Sequence, residues 1–166
     1  MHNRHGFSLI RLIVFIASGA IVVVMLFIAL DPAKLISAYR NAQRTKDVMQ
    51  IMQAVQSYIA ANGSLPHGID ADFKSVQIIG KNPGACSVVT CRRQMLPQSN
   101  CTIQDLDVSL QPYLARMPMD PKTGSESDTR YFINQDTYHA ITVGTCDAES
   151  EDSRAGQLRP IIEVTQ

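Results

Sequence analysis

Twenty of the twenty-four residues from Phe7 to Leu30 are hydrophobic, and the only charge among them is Arg11. Wound as an α-helix, this run reaches roughly 36 Å, enough to cross a bilayer core of about 30 Å. The six residues before it, Met1 to Gly6, are basic, with His2, Arg4 and His5. More helical sequence follows without a break. A greasy helix in that position is an anchor, and whatever the chain does, it does from a membrane.

The chain has 166 residues, so one soluble domain beyond the anchor is expected. Residues 63–166 can bury a modest core, and with no Trp and aromatics at 6 % that core should be small. The net charge is zero but divided: residues 1–50 carry six Lys/Arg against two Asp, and residues 51–166 carry nine Lys/Arg against thirteen Asp/Glu. A basic stem under an acidic head offers no continuous basic face, so nucleic acid is not an expected partner.

All four cysteines, Cys86, Cys91, Cys101 and Cys146, lie after the anchor. An even number in a small, loop-rich domain outside the cytoplasm suggests two disulfides, and spacing alone leaves all three connectivities open. Zinc is the competing use. The C-x4-C-x9-C-x44-C spacing has no CxxC and no nearby His, which argues against it.

From Asp31 the sequence continues as an amphipathic stem. Val48, Ile51, Met52, Val55 and Ile59 recur at three and four residues and form one apolar stripe. Arg40, Arg44, Lys46, Asp47, Gln50 and Gln53 are assigned to the opposite, solvated face. Asn62-Gly63 is a helix stop, with Pro66 beyond it. The helix is expected from about Phe7 to Ala61, with Pro32 imposing a kink or break near Leu30. In the head, Ser64 to Thr102 reads as irregular, Ile103 to Met117 as a short or broken helix, and Arg130–Asn134 and Thr137–Val143 as two strands joined at Gln135-Asp136. Pro160–Thr165 is a candidate last strand, and Asp147–Arg159 a charged link. The fold class is α+β: a long N-terminal transmembrane and stem helix packed against a small antiparallel β-sheet head.

The segment Gly6-Phe7-Ser8-Leu9-Ile10-Arg11 resembles the GF[ST]LxE signature of type IV pilins and of the pseudopilins of type II secretion. Asn62-Gly63-Ser64-Leu65-Pro66 is similar to the family's NGxYP boundary, and Met117-Pro118-Met119-Asp120-Pro121 to the PxDP element ahead of the C-terminal sheet. The resemblance implies a pilin-like chain divided into a leader (1–6), a transmembrane and assembly helix (7–30), an amphipathic stem (31–62) and a disulfide-containing head outside the cytoplasm (63–166). It implies cleavage by prepilin peptidase between Gly6 and Phe7 and methylation of the new Phe7 amine. The implied partners are other pilin or pseudopilin subunits, prepilin peptidase, the inner-membrane assembly platform and membrane lipid. The implied location is the inner membrane and then a pilus or pseudopilus. Some major pseudopilins hold calcium in a loop like that of Asp120, Ser125, Glu126 and Asp128; the spacing here is not that of an EF-hand, and a solvated turn is the plain alternative.

Arg11 departs from the signature, which has Glu at that position to neutralise the amine of a neighbouring subunit. A cation cannot do that. In a resident membrane protein Arg11 can snorkel to the headgroups; in an assembly it calls for a partner's carboxylate and suggests a minor subunit. The orientation signals conflict. Lys34, Arg40, Arg44 and Lys46 outnumber Arg4 and Arg11 across the span, whereas the cysteines and the cleavage site place the head outside.

Two other readings compete. A removable signal peptide is disfavoured by the length of the apolar run and by the absence of a small-x-small site before Asp31. A membrane-anchored enzyme or binding domain is disfavoured by missing motifs: the four His are scattered, and there is no phosphate-binding Gly-rich loop and no HExxH. No catalytic residues and no cofactor are expected, calcium being the one candidate.

Overall fold

Pro32 divides the long helical stretch in two. Its ring disfavours the α conformation at the residue before it and removes a backbone donor. In the computed structural model, which describes residues 8–69, 76–81, 91, 102–103, 106–150 and 159–166, Asp31 is left-handed (φ 39°, ψ 74°). Helix α1 (Leu9–Leu30) ends there and α2 (Pro32–Asn62) begins, with Pro32 in the first turn and the Asp31 carboxylate accepting the Lys34 N–H at 3.3 Å. Asp tolerates that backbone better than most residues, and Pro in the first turn loses only a donor that has no helical partner. The expected stop also forms: Gly63 takes φ 68° and donates its N–H to Ile59 O at 2.8 Å.

The head is a five-stranded sheet under one face of α2. Its strands are β1 (Gln77–Ile79), β2 (Thr102–Ile103), β3 (Tyr131–Gln135), β4 (Ile141–Thr145) and β5 (Glu163–Thr165), with a five-residue helix α3 (Leu106–Leu110) between β2 and β3. The order is β2-β1-β3-β4-β5; β1, β3, β4 and β5 are antiparallel neighbours, and β2 adds a parallel edge beside β1. The architecture is therefore α+β, with a long N-terminal helical region whose second half lies on a mainly antiparallel sheet.

Strand alternation sends successive residues of β3 to opposite sides. Tyr131 and Ile133, with Ile79, Ile141 and Val143, face Val48, Ile51, Met52 and Val55 of α2 and Leu106 and Leu110 of α3. Burying a side chain such as Ile51 stabilises by about 1.5–3 kcal/mol. On the far side, Phe132 and Ile78 join Val76 and the Cys91–Cys146 disulfide in a second small cluster. The Phe132 ring lies across Gly144, its cross-strand partner, where a Cβ would collide with it.

Several local expectations shift. The two-residue turn is a five-residue loop, Asp136–Ala140, because the Asp136 carboxylate accepts the N–H groups of Tyr138 and Ala140, both at 2.8 Å. That local bonding competes with the strand ladder, so β4 starts at Ile141 and Tyr138 stands out at the tip, 88 % exposed. The helix expected over Ile103–Met117 is regular only through α3, since Pro112 interrupts it; Leu114 still packs on the core, and Tyr113 meets Tyr58 edge to face at 6.3 Å. β1 falls within the stretch read as irregular and β2 straddles its end and the first residue of the expected helix; both are too short for alternation to show.

Replacing Gly144 with Ala should drive a methyl group into Phe132 and lower stability by about 1–3 kcal/mol. Urea unfolding of the detergent-solubilised chain should show a lower midpoint with an unchanged slope; an unchanged midpoint would mean the ring moves aside freely.

Candidate functional site

Two features distinguish this fold: a helix that none of the described residues covers, and the buried polar cluster that fastens its continuation to the head. Every side chain of α1 from Leu9 to Ile28 is exposed, and the large apolar ones are between 47 and 73 % accessible. The N-terminal helical region contains an apolar window long enough to cross a membrane, and none of that window is buried. An apolar patch of that extent on a folded chain marks a surface meant for lipid or for other protein.

The fastening centres on Arg44. It lies four residues before Val48 and seven before Ile51, on the apolar stripe rather than opposite it, and its side chain has no exposure at all. Its Nε donates to Asp120 Oδ2 at 2.6 Å and its Nη2 to Asp120 Oδ1 at 3.1 Å, a two-pronged pair between groups that are both fully buried. Nη1 donates to Asn41 Oδ1 and to Glu149 Oε2, each at 3.0 Å. Asn41 also grips the backbone of Glu149: its Nδ2 donates to Glu149 O at 2.8 Å, and its Oδ1 accepts the Glu149 N–H at 3.0 Å. Glu149 further accepts from Arg40 at 3.2 Å and from Lys122 at 2.6 Å.

Asp120 opens the Asp120-Pro121-Lys122-Thr123-Gly124 turn. Its Oδ1 accepts the backbone N–H groups of Lys122 and Thr123 at 2.9 and 3.0 Å and the Thr123 hydroxyl at 3.1 Å. Beside it, Arg130 donates to Asp147 through Nε at 2.6 Å and Nη2 at 2.8 Å, holding Arg130 in a left-handed conformation (φ 65°) at the entry to β3. Deeper along α2, the Asp47 carboxylate accepts from the Tyr131 hydroxyl and from Gln43, both at 2.7 Å. Arg44 and Asp47, expected on the solvated face, are thus buried. Asp147 and Glu149, expected in a charged link, are docked.

These contacts set the charge states. Burial works against the Asp120 carboxylate, but Arg44 and the two backbone N–H groups overcome it and hold its pKa below the ordinary value. Asp147 is lowered in the same way by Arg130 and Thr123 against its burial, and Glu149 by Lys122 and Arg44. Arg44 is held above its usual range by Asp120 and Glu149 despite burial. Asp47 goes the other way: burial raises it, and the Tyr131 hydroxyl and Gln43 only partly compensate. Burial also pushes the Tyr131 hydroxyl up, with Asp47 adding to the effect.

The calcium candidates are engaged with cations or backbone. Asp120 serves Arg44, Glu126 lies 3.8 Å from Lys81, and Asp128 accepts from the Arg130 backbone N–H at 3.0 Å and from its guanidinium at 3.4 Å. The Ser125 hydroxyl accepts the Asp128 N–H at 3.2 Å. Among the described residues no three His, Cys, Asp or Glu side chains converge as a metal site. Cys91 and Cys146 form a disulfide, with Cα atoms 4.6 Å apart, joining residues 55 apart in sequence. Cys86 and Cys101 lie outside the described residues, as do Gly6 and Phe7. Arg11 lies in the first turn of α1, exposed. The chain matches no protein-family model, no curated protein sequence and no solved structure.

Arg44→Met should strand the Asp120 carboxylate in the interior and destabilise the chain by about 3 kcal/mol, at the lower end for a broken buried pair because the turn's own donors remain. Adding Asp120→Asn should return part of that loss in urea unfolding. A single variant as stable as the parent would contradict the burial of this pair.

Acid should act through the same groups. Asp120, Asp147 and Glu149 have lowered pKa values. Their stabilisation is present above the unfolded carboxylate values of about 4 and is lost as pH falls through the folded ones. Asp47, with a raised pKa, contributes in the opposite sense and gains on acidification. Three against one, the melting temperature should fall as the pH drops from about 5 to 3. A flat or rising profile over that range would contradict the assignment.

Proposed function

We propose that this chain is a pilin-like filament subunit, without catalysis of its own, that acts in pilus assembly or in type II protein secretion. The observation that carries the reading is the contrast between the two helices. α2 is folded into the head along its whole apolar stripe, whereas α1, continuing the same helical region, is apolar and exposed from Leu9 to Ile28. A helix of that kind needs lipid before assembly and other helices afterwards. The Gly6-Phe7 signature supports a leader removed by prepilin peptidase and a methylated Phe7, and the Cys91–Cys146 disulfide supports a head outside the cytoplasm, where disulfides persist. Arg11 in place of the family's Glu supports a minor subunit among the other pilins, prepilin peptidase and the inner-membrane assembly platform.

A membrane-anchored exported binding domain is the second reading. It is favoured by a cavity of about 240 Å³ beside α3, lined by Ile79, Leu114, Met117 and Met119 with Lys81 and Asp107 at its edge. That volume is below the roughly 300–1,000 Å³ of ordinary ligand pockets, so the filament reading is preferred.

Mass spectrometry of the native N-terminus separates the two. A chain beginning at Phe7 and one methyl group heavier is the expected result. An intact Met1 would favour the anchored domain, and a start beyond Leu30 would overturn both.

A further inference from the structure

Among the described residues, the one charge of α1 has no partner within reach. Residues 1–30 contain no Asp or Glu, and the first carboxylate is Asp31, twenty residues beyond Arg11 and therefore roughly 30 Å up the helix. Asp31 is itself occupied with the Lys34 N–H at the start of α2. Every other carboxylate described belongs to the stem or the head. The polar residues of α1 are also not scattered. Arg11 and Ser18 are seven residues apart, so at 3.6 residues per turn they fall within about 20° of each other around the axis, with Val22 on the same line. The Ser18 hydroxyl folds back on Phe15 O at 3.0 Å, leaving a small side chain on that line where a second helix can approach closely.

Two copies of this helix packed in parallel along that face would bring guanidinium against guanidinium. A charged group in an apolar span is costly unless another group answers it. We infer that the Arg11–Ser18 face of α1 is a docking surface for the membrane helix of a different protein, one that presents an Asp or Glu carboxylate at the level of Arg11, and that it selects against a second copy of this chain. Charge complementarity identifies the occupant: the required carboxylate is absent from the whole apolar helix, and the guanidinium offers it a two-pronged geometry. The inference deepens the proposed role as a minor subunit by naming the kind of neighbour it takes. It depends on α1 lying in a membrane.

The chain itself supplies a defined probe. The full-length protein is expressed in bacterial membranes carrying either of two fluorophores on the head, as parent, Arg11→Gln or Arg11→Glu, and energy transfer is measured at matched densities. The parent paired with Arg11→Glu should associate at least tenfold more tightly than the parent with itself, and Arg11→Gln paired with the parent should fall between. Equal transfer in all pairings, which is the result if Arg11 only snorkels to lipid phosphates, would overturn the proposal, as would parent self-association equal to the mixed pair. The filament reading is read out separately, from the mass of the mature N-terminus in the same cells. A charge preference on an uncleaved chain sinks the filament and spares the pairing, and a methylated Phe7 without any charge preference does the reverse.

Discussion

A guanidinium shut away from water needs carboxylates in fixed places, and the relation between stem and head depends on that need at Arg44. Asp120 answers it from the turn before β3 and Glu149 from the segment after β4, so three stretches far apart in sequence meet at one side chain. Compared with well-packed apolar residues, such a cluster adds little net stability. What it adds is register. Sliding α2 by a turn would set the guanidinium against the apolar head residues that its stripe now meets, such as Tyr131, Ile133 and Val143, and leave Asp120 with only its own turn for company. The Asn41 amide, bonded to both backbone groups of Glu149, pins the chain after β4 to the same level of the stem. The disulfide at Cys146, immediately before Asp147, ties that segment again from the far face of the sheet.

Below this fastening the physical demands reverse. α2 satisfies its apolar stripe within the molecule, whereas among the described residues α1 has nothing to lie against. The junction is a single left-handed residue, Asp31, backed by Pro32, so the two helices are covalently continuous without sharing an unbroken ladder of hydrogen bonds. A head held together by its own polar contacts, joined through one broken turn to a helix that must be covered by something else, is the division of labour the proposed assembly role requires.

Reading along the chain recovered most of what depends on neighbours in sequence. The break at Pro32, the stop at Gly63, the stripe from Val48 to Val55 and the pair of strands around Ile133 and Val143 all follow from local chemistry, and all are present. The strand boundaries slipped because Asp136 bonds its own loop, a competition invisible to alternation alone. β1 and β2, at three and two residues, carry no periodicity to read. The misplacement of Arg44 and Asp47 has a different origin. Residues 44, 48, 51 and 55 lie along one line of the helix, so the spacing already put Arg44 inside, and its charge argued it out again. Extending the stripe one turn towards the N-terminus, whatever the side chains, would have found it.

By itself, then, the amino-acid order determined where helices start and stop, the length and greasiness of α1, and the single cation near its beginning, because each depends on residues within a turn or two. Which charges are buried was decided only in three dimensions. An arginine is tolerated inside when carboxylates surround it, and those that surround Arg44 come from 76 and 105 residues away. No local pattern carries that distance; the packing of the sheet against the stem does.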